Sequence, residues 1–198
     1  MRTEVRASRP RSHETSKRQI GQKLIAAGEA RTALLRRAYA TSVQNLWTAI
    51  TEPRHLRVWY IEPMGNLRLG GTFTLEGTAH GRIMRCDAPR SLCVTWLYGP
   101  GRADEVEVRL SPLSENRTLL ELEHASVADL APDGVTDAIV SVAVGWELAM
   151  VYLGRHLRHE LPAPPVGLGG RWFEPTAADA KRVRASTRAW TELLARSG

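Results

Sequence analysis

From Leu67 to His124 the apolar residues recur at every second position, and from Thr136 to Glu160 they recur at helical spacing. Few architectures satisfy both patterns at once. Phe73 and Leu75 share one strand face, as do Leu92, Val94 and Trp96, then Val106, Val108 and Leu110, then Thr118, Leu120 and Leu122. Gly70-Gly71, Asp87-Ala-Pro89, Gly99-Pro-Gly101 and Ser114-Glu-Asn116 put turn residues between these runs, which predicts an antiparallel meander. The helical stripe runs through Ile139, Val142, Ala143, Trp146, Ala149, Met150, Leu153 and Leu157 and predicts one long helix. Gly145 and Gly154 inside it each cost about 1 kcal/mol against alanine, so they predict a bend or a close approach. Pro162, Pro164 and Pro165 end the helix.

Upstream, Thr32 to Ala40 reads as a first strand with Leu35 and Tyr39 on one face. Ser42 is a helix N-cap, followed by a stripe of Val43, Leu46, Trp47 and Ile50 that Pro53 closes. Leu56, Trp59 and Tyr60 suggest a second short helix before Pro63 and Gly65. Downstream, Thr176 and Asp179 form a capping-box pattern ahead of a thin stripe of Val183, Trp190 and Leu194, which predicts a last helix.

The 198 residues, 43% hydrophobic and 24% charged, suit one globular domain with tails. No uninterrupted apolar run approaches the 18 or so residues of a membrane span, and no secretory leader is legible, so a cytoplasmic protein is expected. Cys86 and Cys93 are expected to be free thiols in that compartment. The net charge of +6 resides in the ends. Residues 1–18 hold six basic and two acidic side chains (+4), and residues 174–198 hold five and three (+2), leaving a neutral body. A neutral body lacks the electrostatic footprint of a nucleic-acid binder. The expected division is a disordered basic tail over 1–18, one domain over 19–161, and a linker with an extra helix over 162–198.

The order of strand, two short helices, meander and long helix resembles the START-like, or SRPBCC, helix-grip superfamily, in the branch named after the activator of the heat-shock chaperone ATPase. Val43-Gln-Asn-Leu-Trp-Thr-Ala-Ile-Thr-Glu-Pro53, His55-Leu-Arg-Val-Trp59 and Gly65-Asn-Leu-Arg-Leu-Gly-Gly-Thr-Phe73 carry the resemblance. Asp87-Ala-Pro-Arg-Ser-Leu92, Val94-Thr-Trp96 and Gly145-Trp-Glu-Leu148 extend it. It implies an α+β fold in which a curved seven-stranded antiparallel sheet wraps a long helix, with a cavity opening near the short helices. Members bind lipids, hormones, polyketides or other apolar compounds; some cyclise polyketides, and some protect producers of enediyne antibiotics. The branch name implies a chaperone partner, but the protein partner of this chain stays open.

Within that fold Trp59, Tyr60, Phe73, Trp96, Trp146 and Met150 would converge between sheet and helix, and Trp47 would be core. His124 continues the alternation of Leu120 and Leu122, so it is a candidate polar anchor on the cavity face. His80 and Arg82 are further strand candidates, while Glu107 and Arg109 are expected on the outer face, because Val106, Val108 and Leu110 claim the inner one. His156 and His159 stand three apart on a helix, a spacing that lacks a third metal ligand, so no metal is expected. No nucleophile, base and orienting residue stand together, no phosphate-binding glycine loop is present, and no cofactor is implied. The reading is a non-catalytic binder of an apolar small molecule; a polyketide cyclase or a chaperone-associated interaction protein is the alternative.

Overall fold

The computed structural model describes residues 16–129, 137–161 and 176–197. Its strands are β1 (Lys17–Ile25), β2 (Gly28–Tyr39), β3 (Met64–Gly65), β4 (Thr72–Leu75), β5 (Ala79–Asp87), β6 (Ser91–Trp96), β7 (Asp104–Ser114) and β8 (Arg117–Ser126). Between β2 and β3 lie α1 (Val43–Thr51) and α2 (Pro53–Trp59), and after β8 come α3 (Ala138–Leu157) and α4 (Ala177–Ala195). The strands form one antiparallel sheet in the order β1-β2-β8-β7-β6-β5-β4-β3, curved and unclosed, which is the helix-grip architecture. It has 8 strands rather than the expected seven.

The sheet gains its extra strand ahead of the expected first one. β1 pairs with β2 from Lys17↔Arg36 to Ile25↔Gly28, so Lys17 and Arg18 belong to a strand and the boundary expected at residue 18 falls inside it. The tail itself, residues 1–15, lies outside the described residues, as does the linker of 162–175.

Side-chain alternation decides which face of the sheet meets the helices. Leu35, Val94, Trp96, Val106, Leu110, Leu120 and Leu122 are buried on the concave side. The convex side carries ion pairs, two of them between strands, Lys23 to Glu123 at 2.7 Å and Arg36 to Glu121 at 2.6 Å, and one along β7, Arg109 to Glu107 at 2.7 Å. Glu107 and Arg109 therefore occupy the outer face, as the alternation requires. Cys86 stands opposite Leu92 and Cys93 opposite Arg85 in the β5–β6 register, so the two cysteines point to opposite faces and both are free. Gly81 is fixed by contact, since a Cβ there would sit 1.9 Å from the Thr95 carbonyl oxygen. That approach lets β5 run close to β6 where His80 bridges Leu97.

Helix α3 lies in the trough against β2 and β8, and α4 packs on its other side. This accounts for its apolar character all round. Among the described residues, α3 is the one helix long and apolar enough to cross a membrane, at mean hydropathy 1.4, yet half of that stretch is buried inside the fold. Glu147 ties three elements together: its carboxylate accepts from Arg18 of β1 at 2.6 Å, from Ser186 Oγ at 2.6 Å and from Trp190 Nε1 at 3.1 Å of α4. Tyr152 Oη adds a hydrogen bond to Asp179 at 2.8 Å, the residue that completes the α4 capping box with Thr176. At Gly154 a Cβ would meet Tyr39 Cε1 at 3.5 Å, an ordinary contact that does not demand glycine, and Gly145 faces open space and has no packing reason.

Candidate functional site: an aromatic-walled cavity

A cavity of about 370 Å³ lies between α1, α2, α3 and the concave face of β4 to β8. Each wall follows from a local rule. Ser42 accepts the Asn45 N–H and starts α1, and Glu52 ends α1 and precedes Pro53, the first residue of α2. Pro53 therefore opens the second helix as well as closing the first, because its missing N–H is no loss at a helix start. Trp59 Nε1 donates to the Ala49 carbonyl at 2.8 Å, which locks α2 onto α1. From α3, Trp146, Ala149, Met150 and Leu153 reach the cavity at i, i+3, i+4 and i+7. From the sheet come Phe73, Leu75, Val94, Trp96, Val106, Val108, Leu120 and Leu122.

Six of the seven residues expected at the site, Trp59, Tyr60, Phe73, Trp96, Trp146 and Met150, line this cavity. Their rings form one continuous wall. Trp59 and Tyr60 centroids are 5.6 Å apart, Tyr60 stacks on Trp146 at 5.7 Å, Trp146 meets Trp96 edge-on at 5.2 Å, and Trp96 is 6.0 Å from Phe73. Burial, with a smaller push from the nearby Tyr98, raises the Tyr60 phenol well above its ordinary value, so it stays neutral. Trp47, expected as core, also touches the cavity.

His124 is not on the wall. It is fully buried, with Nε2 3.0 Å from Asp104 Oδ2 and Nδ1 2.9 Å from the Trp146 indole N–H. The alternation placed it on the correct face, but Trp146 covers it. Trp96 Nε1 is buried without a hydrogen-bonding partner. The Tyr98 hydroxyl is the polar group beside it and feels its influence, but the pair falls outside hydrogen-bond geometry.

The formal charges on the lining are Glu52 and Arg68. Leu67 and Leu69 line the cavity while remaining 40% and 64% exposed, so they mark its mouth. Irregular residues between β3 and β4 supply them, and no periodicity announces such positions. His80 and Arg82 are exposed strand residues that do not line the cavity.

Near the outer end of α3, His55 Nδ1 and His156 Nε2 are 3.1 Å apart. Burial first, then the His55 and His159 charges, hold His156 below its ordinary pKa. Among the described residues no three His, Cys, Asp or Glu side chains converge as a metal site would need.

The crystal and solution structures of CalU16 from Micromonospora echinospora are similar over nearly the whole chain. The crystal structure is 36% identical, covers 91% of this chain and 98% of that one, and has a TM-score of 0.76. The solution structure gives 38%, 96%, 100% and 0.79. DynU16, a protein of the dynemicin biosynthetic locus, has the same fold at 15% identity, over 76% of this chain and 59% of that chain, with a TM-score of 0.56. PFC0360w, an HSP90 activator from Plasmodium falciparum, shares the fold at 18% identity, over 66% and 97% of the chains, with a TM-score of 0.56. No curated protein matches in sequence. The family model described as activator of Hsp90 ATPase homolog 1-like protein matches residues 40–158, the stretch from the end of β2 to the end of α3, and the chain belongs to that family.

Proposed function

We propose that this chain binds an apolar, polycyclic small molecule of the polyketide or enediyne class in the cytoplasm of its host, for sequestration, transport or self-resistance and without catalysing a reaction. The observation that carries this reading is the continuous aromatic wall around a cavity of about 370 Å³. Small-molecule sites commonly span roughly 300–1,000 Å³ and bind through apolar burial with few polar contacts. Trp59, Tyr60, Phe73, Trp96, Trp146 and Met150 are the residues proposed to touch the ligand. The occurrence of the same fold in a protein of the dynemicin biosynthetic locus agrees with the reading.

The cyclase alternative calls for inward polar groups within reach of a bound chain. His124 is committed to Asp104 and Trp146, and Arg82 is exposed, so neither is offered. Binding is therefore favoured over catalysis. The test is a native mass spectrum of the protein purified from its own host. A retained small molecule, released on denaturation, supports the reading; the mass of a complex with a co-purified protein and no small molecule supports a chaperone-type partner instead.

A further inference from the structure

We propose that His124, held by Asp104, is a positioning residue: it fixes the Trp146 indole as a rigid wall of the cavity and so sets which ring systems fit. The fit clause rests on the ligand-binding reading above; the positioning of the indole does not.

The donor and acceptor roles follow from chemistry. An indole N–H only donates, so at 2.9 Å the His124 Nδ1 facing Trp146 Nε1 is the acceptor. A neutral imidazole then carries its proton on Nε2. Nε2–H donates to Asp104 Oδ2 at 3.0 Å, and the other carboxylate oxygen accepts the Val127 N–H at 2.9 Å. Every polar atom along this line from Val127 to Trp146 is used.

The network is also dry and clamped. His124 is 0% and Asp104 5% exposed, and the Tyr98 ring lies parallel to the imidazole, 6° from coplanar at 6.5 Å. On its far side Trp146 stacks on Tyr60 and meets Trp96 edge-on. Turning the indole would leave the fully buried His124 Nδ1 without its donor, a penalised arrangement. Leu120 and Leu122 show that this strand face accepts leucine. A hydrogen-bonded carboxylate–imidazole pair is not the means an apolar core needs for stability, whereas it does fix the geometry of the one group it touches. Shape selection needs a wall that cannot yield, and here the wall is Trp146.

Two variants separate positioning from mere filling. An asparagine carbonyl sits close to the imidazole Nδ1 position, and a glutamine amide nitrogen close to Nε2. His124→Asn therefore keeps the acceptor for Trp146, while His124→Gln keeps the partner for Asp104. Trp146→Phe keeps a ring and loses the N–H, and it guards against a His124 variant that fails to fold. The ligand-free wild type is read first, by the ring nitrogens of His124 and by solvent exchange of the Trp146 indole N–H in NMR. Expected are the Nε2–H tautomer and a slowly exchanging indole. Binding is then measured with 1-anilinonaphthalene-8-sulfonate and an aromatic polyketide. His124→Asn should keep the protected indole and affinity within a few-fold. His124→Gln and Trp146→Phe should each weaken binding about tenfold, the scale of one lost buried hydrogen bond. An Nδ1–H tautomer, a fast-exchanging indole, or equal affinity in all three variants overturns the proposal. If no probe binds the wild type, that failure falls on the ligand reading, and the tautomer and exchange data still decide the positioning.

Discussion

Val108→Phe is the substitution whose sign depends most directly on whether the interior is hollow. Val108 lies in β7 between Leu92 of β6 and Leu122 of β8, and all three line the cavity. A larger side chain forced into a filled core costs typically 1–3 kcal/mol. Into a cavity of about 370 Å³ the added ring instead buries its own surface. Replacing isopropyl by benzyl adds roughly 40–60 Å² of apolar area, worth about 1–1.5 kcal/mol at about 25 cal/mol per Å². Partial solvation near the mouth reduces this, so the expected change runs from neutral to about 1 kcal/mol more stable. Urea unfolding followed by far-UV circular dichroism measures it, with the m-value checked for constancy. The same variant should lose dye binding. A loss of 1–3 kcal/mol with native-like affinity would refute the hollow interior.

Packing and charge set the remaining expectations. Gly145→Ala should raise stability by about 1 kcal/mol, because the added methyl meets nothing within 4 Å and only helix propensity changes; a thermal melt checks it. Glu147→Gln should cost roughly 1.5–3 kcal/mol, since Arg18, Ser186 and Trp190 all donate to that carboxylate, and exchange of α4 amides should quicken with it. Stability should be constant above pH 6.5 with respect to His156 and fall below it, because the unfolded imidazole takes up a proton near 6.5 while burial and the neighbouring histidines hold the folded one neutral to lower pH. Unfolding midpoints between pH 7.5 and 5.5 test this, and His156→Gln should flatten the slope. At lower pH Asp179 adds its own loss. Burial raises its pKa, but Thr176, Tyr152 and Arg182 together outweigh that and hold it below the ordinary 3.8. Its contribution is thus present above about pH 4 and disappears as the pH falls through the lower folded value.

The period-two runs of β6, β7 and β8 made the fold legible, because a single buried face leaves one register to the strand. The stripe of α3 sets which side chains meet that face, so Trp96 and Met150 are legible as neighbours of one groove, and both line the cavity. β1 was not legible. Lys17–Ile25 contains Gln19, Gln22 and Lys23 and offers little alternation, and its turn into Gly28 carries none of the Asn-Gly or Asp-Gly dipeptides that announce a hairpin. It is an edge strand held by its hairpin pairing with β2 and by the Arg18–Glu147 ion pair, and the second of these joins residues far apart in sequence. His124 shows the same limit from the other side. Alternation gives its face, but that Trp146 covers it depends on where α3 settles, more than twenty residues away. Glu147 lies within Gly145-Trp-Glu-Leu148, where no sequence pattern marks it, and its function as the anchor of α4 emerges only when Trp190 arrives beside it.

The central claim is that the aromatic wall receives a ligand, and indole N–H resonances report on it residue by residue. Isotope-labelled protein titrated with a panel of aromatic polyketides and enediynes should show saturable shifts of Trp59, Trp96 and Trp146. Trp190, buried outside the cavity with its N–H on Glu147, should stay still as an internal control. Trp96→Ala should weaken the tightest ligand about tenfold, from roughly 60 Å² of lost apolar contact at about 25 cal/mol per Å². Absence of any saturable change with every compound up to millimolar concentration, or shifts confined to Trp190, would contradict the account.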